Sequence, residues 1–141
     1  HLPTTEMQAL EAAVQHAEVS GRPLLVATHH PLMAVGCEWL DQIGVDNAEE
    51  ALQCLAPLGE QALVISGHVH QDSAQAHQGV QCLTSPSTCI QFAPRSAGFQ
   101  VDAKAPGCRM LTLHEAGRWQ TDVLRVTDEA FPVDLDSSGY A

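Results

Sequence analysis

Four of the chain's eight histidines stand in two short strings, Thr28-His29-His30-Pro31 and Gly67-His68-Val69-His70. Imidazole suits zinc, iron, manganese and neighbouring first-row ions better than calcium or magnesium. Three imidazoles can hold a catalytic zinc with one position open. A two-ion centre for phosphoryl transfer needs bridging and terminal carboxylates as well. On an extended strand, the i, i+2 spacing of His68 and His70 puts both rings on one side. At a turn just past a strand end, the same spacing can splay them toward two ions. Gly67 is expected to adopt a backbone conformation that a side chain forbids, bringing both rings close. His29 and His30 are adjacent and point to opposite faces of an extended chain, so at most one should be a ligand. The other becomes a neighbour or a substrate contact. His1, His16, His77 and His114 lie outside both strings and read as ordinary residues.

The elements around the strings explain why they matter. Residues 4–20 read as an amphipathic helix, with Met7, Leu10, Val14 and Ala17 at helical spacing. Thr5 and Gln8 form a capping box, and Gly21 suits the position past the end. Leu24-Leu25-Val26-Ala27 is an all-apolar run of the kind buried on both faces, and the first string follows it. Residues 31–45 read as an irregular loop. Asp46, with Glu49, is expected to cap a second helix whose inward face is Ala48, Leu52, Leu55 and Ala56, ending at Gly59. Ala62-Leu63-Val64-Ile65 is a second buried strand, and the second string follows it. This is the rhythm of a parallel α/β layer, which places its chemistry at the carboxyl ends of its strands. Beyond His70, segments near 72–77, 80–84, 88–92, 97–102, 108–114 and 119–125 read as antiparallel strands and hairpins. Residues 1–126 form one domain portion, and 127–141 an acidic, partly ordered tail.

Composition narrows the function classes. The chain has 141 residues, enough for one domain with a sizeable core. Its formal charge of −11 repels polyphosphate backbones, so nucleic acid is not an expected partner. No apolar run approaches the ~18–20 residues that span a bilayer, so no membrane association is expected. Five cysteines with no CxxC pair point to free thiols in a reducing cytoplasm. An anionic substrate would have to be attracted by something other than lysine and arginine, and bound cations would serve.

The two strings resemble the last two metal motifs of calcineurin-like metallophosphoesterases. The likeness is greater to the class III cyclic nucleotide phosphodiesterases, the bacterial enzymes acting on cyclic AMP among them. It is carried further by Trp39-Leu40-Asp41, Asn47-Ala48, Gly67-His68-Val69-His70-Gln71 and Ser85-Pro86-Ser87-Thr88-Cys89-Ile90-Gln91-Phe92. Ala105-Pro106-Gly107, Leu111-Thr112-Leu113-His114 and Ser138-Gly139-Tyr140 extend it over nearly the whole chain. The resemblance implies half of a two-sheet αββα sandwich. It implies that His29 and His68 bind one of two divalent ions (iron, manganese or zinc) and His70 the other. His30 and Gly67 would line the substrate site. The implied reaction is hydrolysis of a phosphodiester by a metal-bound hydroxide.

The family's Asp-x-His, Gly-Asp and Gly-Asn-His motifs are absent from this sequence. The chain therefore looks like the C-terminal half of such an enzyme, with no complete catalytic set. On that reading it binds at most one ion, weakly, and is inactive alone. It either associates with itself or needs its missing half, and cyclic nucleotide or another phosphodiester is the substrate of the longer protein. Two alternatives stand beside this: a non-catalytic binding or interaction module, and a mononuclear zinc hydrolase built on His29, His68 and His70. The last needs a carboxylate base, for which Asp41, Asp46 and Asp72 are the nearest candidates in the sequence.

Overall fold

The computed structural model describes residues 1–139. Tyr140 and Ala141, which close the expected tail and the Ser-Gly-Tyr likeness, lie outside the described residues.

Helix α1 (Thr4–Ser20) sends Val14 and Ala17 into the core and stops at Gly21, whose φ of 63° lets the chain turn away. The expected Thr5–Gln8 box does not form: Pro3 is the residue before the helix, and no side chain caps it. Proline fits there because its missing N–H and fixed φ cost nothing at a helix start. Strand β1 (Leu24–Thr28) follows. The loop after it holds one short turn, α2 (Glu38–Asp41), before helix α3 (Ala48–Leu55). Asn47, not Asp46, precedes α3, and it is engaged elsewhere. Its side-chain oxygen accepts from the Leu2 amide at 2.8 Å, and its NH2 donates to the Leu2 carbonyl at 3.1 Å. A 3-10 stretch over Ala56–Gln61 then kinks at Gly59 (φ 52°) and delivers β2 (Ala62–Ser66).

The main sheet has the order β1-β2-β4-β3, with β3 at Ala74–His77 and β4 at Val80–Thr84. β1, β2 and β4 run parallel, and β3 is antiparallel to β4. β4 was expected only among antiparallel hairpins. It is a hybrid, turning back from β3 by a tight connection through Gln78 (φ 50°) and Gly79 (φ 90°) and thereby joining β2 in the parallel sense. The register sets Thr28 beside Ser66, and Ser66 beside Thr84. All three strands therefore end at one level.

One sheet face is covered by α1 and α3, where Val14, Leu52 and Leu55 pack on Val64, Val80 and Cys82. The opposite face is less covered. Leu25 on β1 is 42% exposed, and β1 alternates half-buried and exposed positions, whereas β2 is buried along nearly its whole length. The expectation of burial on both faces thus holds for β2 and fails for β1, the strand at the sheet edge.

A hairpin of β7 (Gly107–Leu113) and β8 (Trp119–Arg125) is joined to the main sheet by Arg109. Its guanidinium donates to the Thr84 carbonyl at 2.8 Å and the Ser73 carbonyl at 3.2 Å. A small pair, β5 (Gln91–Phe92) with β6 (Val101–Asp102), borders a second core of Cys37, Leu40, Val69 and Phe92. Residues 127–139 carry no helix or strand. No helix among the described residues is long and apolar enough to cross a membrane.

Candidate metal centre

The two histidine strings leave the carboxyl ends of neighbouring parallel strands and are tied to each other. The Gly67 amide donates to the His29 carbonyl at 3.1 Å, continuing the β1–β2 ladder one step past the strands. At the first tip, the Thr28 hydroxyl donates to the His30 carbonyl at 2.8 Å, which folds the chain out of the extended state. His29 and His30 therefore do not point to opposite faces. Their ring centres lie 4.9 Å apart with planes nearly perpendicular.

At the second tip the turn is tighter. The Val69 amide donates to the Gly67 carbonyl at 2.7 Å, with His68 between them at φ 61°, and His70 follows at φ 51°. The left-handed backbone expected of Gly67 thus falls on the two histidines instead. A Cβ on Gly67 would meet nothing nearer than the His29 carbonyl, at 3.9 Å. Each left-handed non-glycine residue costs roughly 1–2 kcal/mol. Val69, between the two, is 2% exposed and plugs the second core. Burying a valine contributes roughly 1.5–3 kcal/mol, comparable to the strain it offsets.

The consequence is that the rings of His68 and His70 splay apart. His68 turns toward the first tip, with ring centres 4.0 Å from His30 and 5.3 Å from His29. One nitrogen from each of His29, His30 and His68 lies within 4.8 Å of the others. Among the described residues, no other group of three or more histidine, cysteine or carboxylate side chains is so placed. His70 stands outside this group and stacks on Phe92, with centres 4.3 Å apart and planes within 4° of parallel.

Three observations fit this group to a nitrogen-ligated divalent ion. The Nε2 of His68 is buried and has no hydrogen-bond partner, an arrangement that native interiors avoid unless something fills it. Burial, then the neighbouring rings of His30, His29 and His70, hold the His68 pKa down at about 4, so its lone pair stays free. Burial and the neighbouring His29 also lower the pKa of His30. His70 is lowered by burial too, opposed by a hydrogen bond to the Ile90 backbone.

Among the described residues, no carboxylate joins the group. Asp41 accepts the amides of Val35, Gly36 and Cys37 at 2.8–3.1 Å, holding the loop, and Asp72 pairs with Arg125 at 3.1 Å. Asp46 is exposed. Beside the group, His29 and His30 border a cavity of about 360 Å3 shared with Leu2, Glu6, Leu10 and Val26. The alternation rule assumes an extended chain and sends the rings of His29 and His30 to opposite faces, whereas the turn made by Thr28 brings both to the group; Thr28 with Pro31 close behind is the signal for that turn.

The comparisons agree with the resemblance read from the motifs. The chain is 39% identical over 140 residues, 99% of its length, to the 3',5'-cyclic adenosine monophosphate phosphodiesterase CpdA of Pseudomonas aeruginosa, covering 51% of that protein. It is 43% identical over 117 residues to the CpdA of Escherichia coli K12, covering 83% of this chain and 42% of the relative. This chain belongs to the bacterial cyclic nucleotide phosphodiesterase family. A further family member, the 3',5'-cyclic-nucleotide phosphodiesterase alr5338 of Nostoc, is 32% identical over 126 residues, 89% of this chain and 47% of the relative. The chain spans about half the length of the curated phosphodiesterases it matches. No family model matches it.

Proposed function

We propose that this chain supplies the histidine half of a dinuclear metal centre in a phosphodiesterase acting on cyclic nucleotides. The observation that carries the reading is the convergence of His29, His30 and His68 at two level strand ends with a buried, unpartnered nitrogen among them. His29 and His68 would hold one divalent ion, His70 would contribute to a second, and His30 would border the substrate. Such ions, when bound, supply Lewis acidity at the phosphoryl group and lower the pKa of bound water. Burial lowers the pKa values of His30 and His68, favouring their neutral forms, and the Thr28 and Val69 turns fix the directions of the rings. A mononuclear zinc site on His29, His68 and His70 is the weaker reading, because the splay at Val69 parts His70 from the other two.

The half-covered sheet face supports the longer-protein part of the proposal. Leu25, 42% exposed on β1, presents apolar surface where a second sheet of a sandwich would lie. The five free thiols suit a reducing compartment. The carboxylates of the bridge and of the other ion's site are read as belonging outside this chain.

Ion stoichiometry and turnover test the reading together. Equilibrium dialysis of the pure 141-residue chain against manganese or zinc should give at most one weakly held ion, lost in His68→Asn. Cyclic AMP should remain uncleaved by the chain alone. Co-expression with the remaining half of the Pseudomonas relative should restore metal-dependent cleavage of cyclic AMP. Two tightly bound ions and manganese-dependent hydrolysis by the chain alone would overturn the half-centre assignment.

A further inference from the structure

The string Ser85-Pro86-Ser87-Thr88-Cys89-Ile90-Gln91-Phe92 carries much of the family likeness, yet it contributes nothing to the histidine group. We infer that its second half is the support that aims the His70 ring, with Phe92 as a positioning residue for that histidine.

The His70 ring is held from two sides by residues of this one segment. Phe92 lies flat against it at 4.3 Å, and the backbone of Ile90, two residues earlier, approaches the ring closely enough to favour its protonated form. A face-to-face stack fixes the ring plane. A hydrogen bond at one ring nitrogen fixes the rotation within that plane and decides which nitrogen keeps its lone pair. The Nδ1 of His70 is buried and has no partner. Metal-ligating histidines are characteristically held at one nitrogen while the other faces the ion.

The support is rigid because Gln91, between the two contacts, is 1% exposed and stitches the segment to itself. Its NH2 donates to the Ser87 carbonyl at 2.8 Å and the Cys89 carbonyl at 3.2 Å, and its oxygen accepts from the Ser87 amide at 3.2 Å. Phe92 in turn is wedged edge-on against Trp39 (5.1 Å) and Phe99 (5.5 Å), and Val69 packs in the same core. The aromatic cluster therefore anchors both the backbone on the N-terminal side of His70, through Val69, and the His70 ring itself, through Phe92. Nothing comparable flanks His29, which is exposed.

The metal role of His70 rests on the proposed function; its positioning by Phe92 does not, and the test separates them. Long-range proton–nitrogen spectra of the labelled chain in chelator should show His70 as a single tautomer, with exposed His16 averaging. Phe92→Leu should convert His70 to a mixture while His29 and His68 stay unchanged, and Phe92→Tyr should restore the single form. Leu40→Ala, which loosens the same core, should leave the tautomer fixed. Zinc added to the wild type should move the His70 nitrogens, and Phe92→Leu should need about tenfold more zinc for the same response. A tautomer mixture in the wild type, or a fixed tautomer in Phe92→Leu, overturns the positioning role. A fixed tautomer that no zinc concentration perturbs leaves the positioning intact and refutes His70 as a ligand.

Discussion

Acid should weaken the fold of this chain through His68. A free histidine titrates near 6.5, whereas burial and the three neighbouring histidines hold His68 at about 4. Between those values the unfolded chain takes up a proton that the folded chain refuses. Stability is then complete above pH 6.5, falls as the pH drops toward 4, and levels off below it. A displacement of about 2.5 in pKa sets a ceiling of about 3.4 kcal/mol. The ring is open to solvent on one side, and screening there brings the expected loss to about 1 kcal/mol. Urea unfolding in chelator at pH 7.5, 6 and 5 measures it, since 1 kcal/mol moves the midpoint by about 0.5 M. The comparison chain is His68→Asn, because asparagine tolerates the left-handed backbone at this position and does not titrate. It should lose about 1 kcal/mol less than wild type over the same range, keeping only the smaller dependence from His30 and His70. Parallel losses in the two chains would show that His68 carries no such burden. A wild type that gains stability on acidification would show the sign to be wrong.

Two further outcomes follow from packing. Val69→Ala empties the plug between the two histidines and should cost about 2–3 kcal/mol in chemical unfolding, as buried truncations do. It should also release the left-handed turn, seen as loss of amide protection at Val69. Gly107→Ala places a methyl group against the Leu124 carbonyl across the hairpin, with the Arg125 side chain 3.0 Å away. It should destabilise the chain by at least about 1–3 kcal/mol by thermal melting. An unchanged melting point would mean that β7 and β8 are not paired in this register.

What was legible in the sequence was what period and punctuation encode. The first helix, the first two strands and the hairpin near 108–125 lie within a residue or two of their expected places, because apolar spacing and glycines mark them. Both helix caps were misassigned for one reason: a capping side chain is recognisable by type, but Asn47 bonds to Leu2 and the α1 start uses Pro3. β1 was read as buried on both faces from its apolar residues, which report what a strand could bury and not what covers it. The site was legible as strings and not as geometry. His29 and His68 at two strand tips followed from the apolar runs just before them, whereas the turn that brings in His30 depends on one hydroxyl of Thr28. The support for His70 was hidden because a stacking contact between residues 22 positions apart has no period to betray it.

The level ending of β1, β2 and β4 has a consequence for how this chain tolerates changes in length. The rungs at Thr28, Ser66 and Thr84 continue beyond the strands, with Gly67 bonded to His29 and Ser85 to Ser66. Deleting one residue inside β2 would slide His68 by about 3.3 Å and turn every later side chain to the other face. Adding or removing residues in the loop after Pro31, or between α3 and β2, would leave the offsets untouched. Distances along the chain between the two histidine strings are therefore free to drift, while the count from each strand's last apolar residue to its histidine is locked. Relatives with weak overall likeness are best recognised by those two short offsets, with a spacer of any length between them.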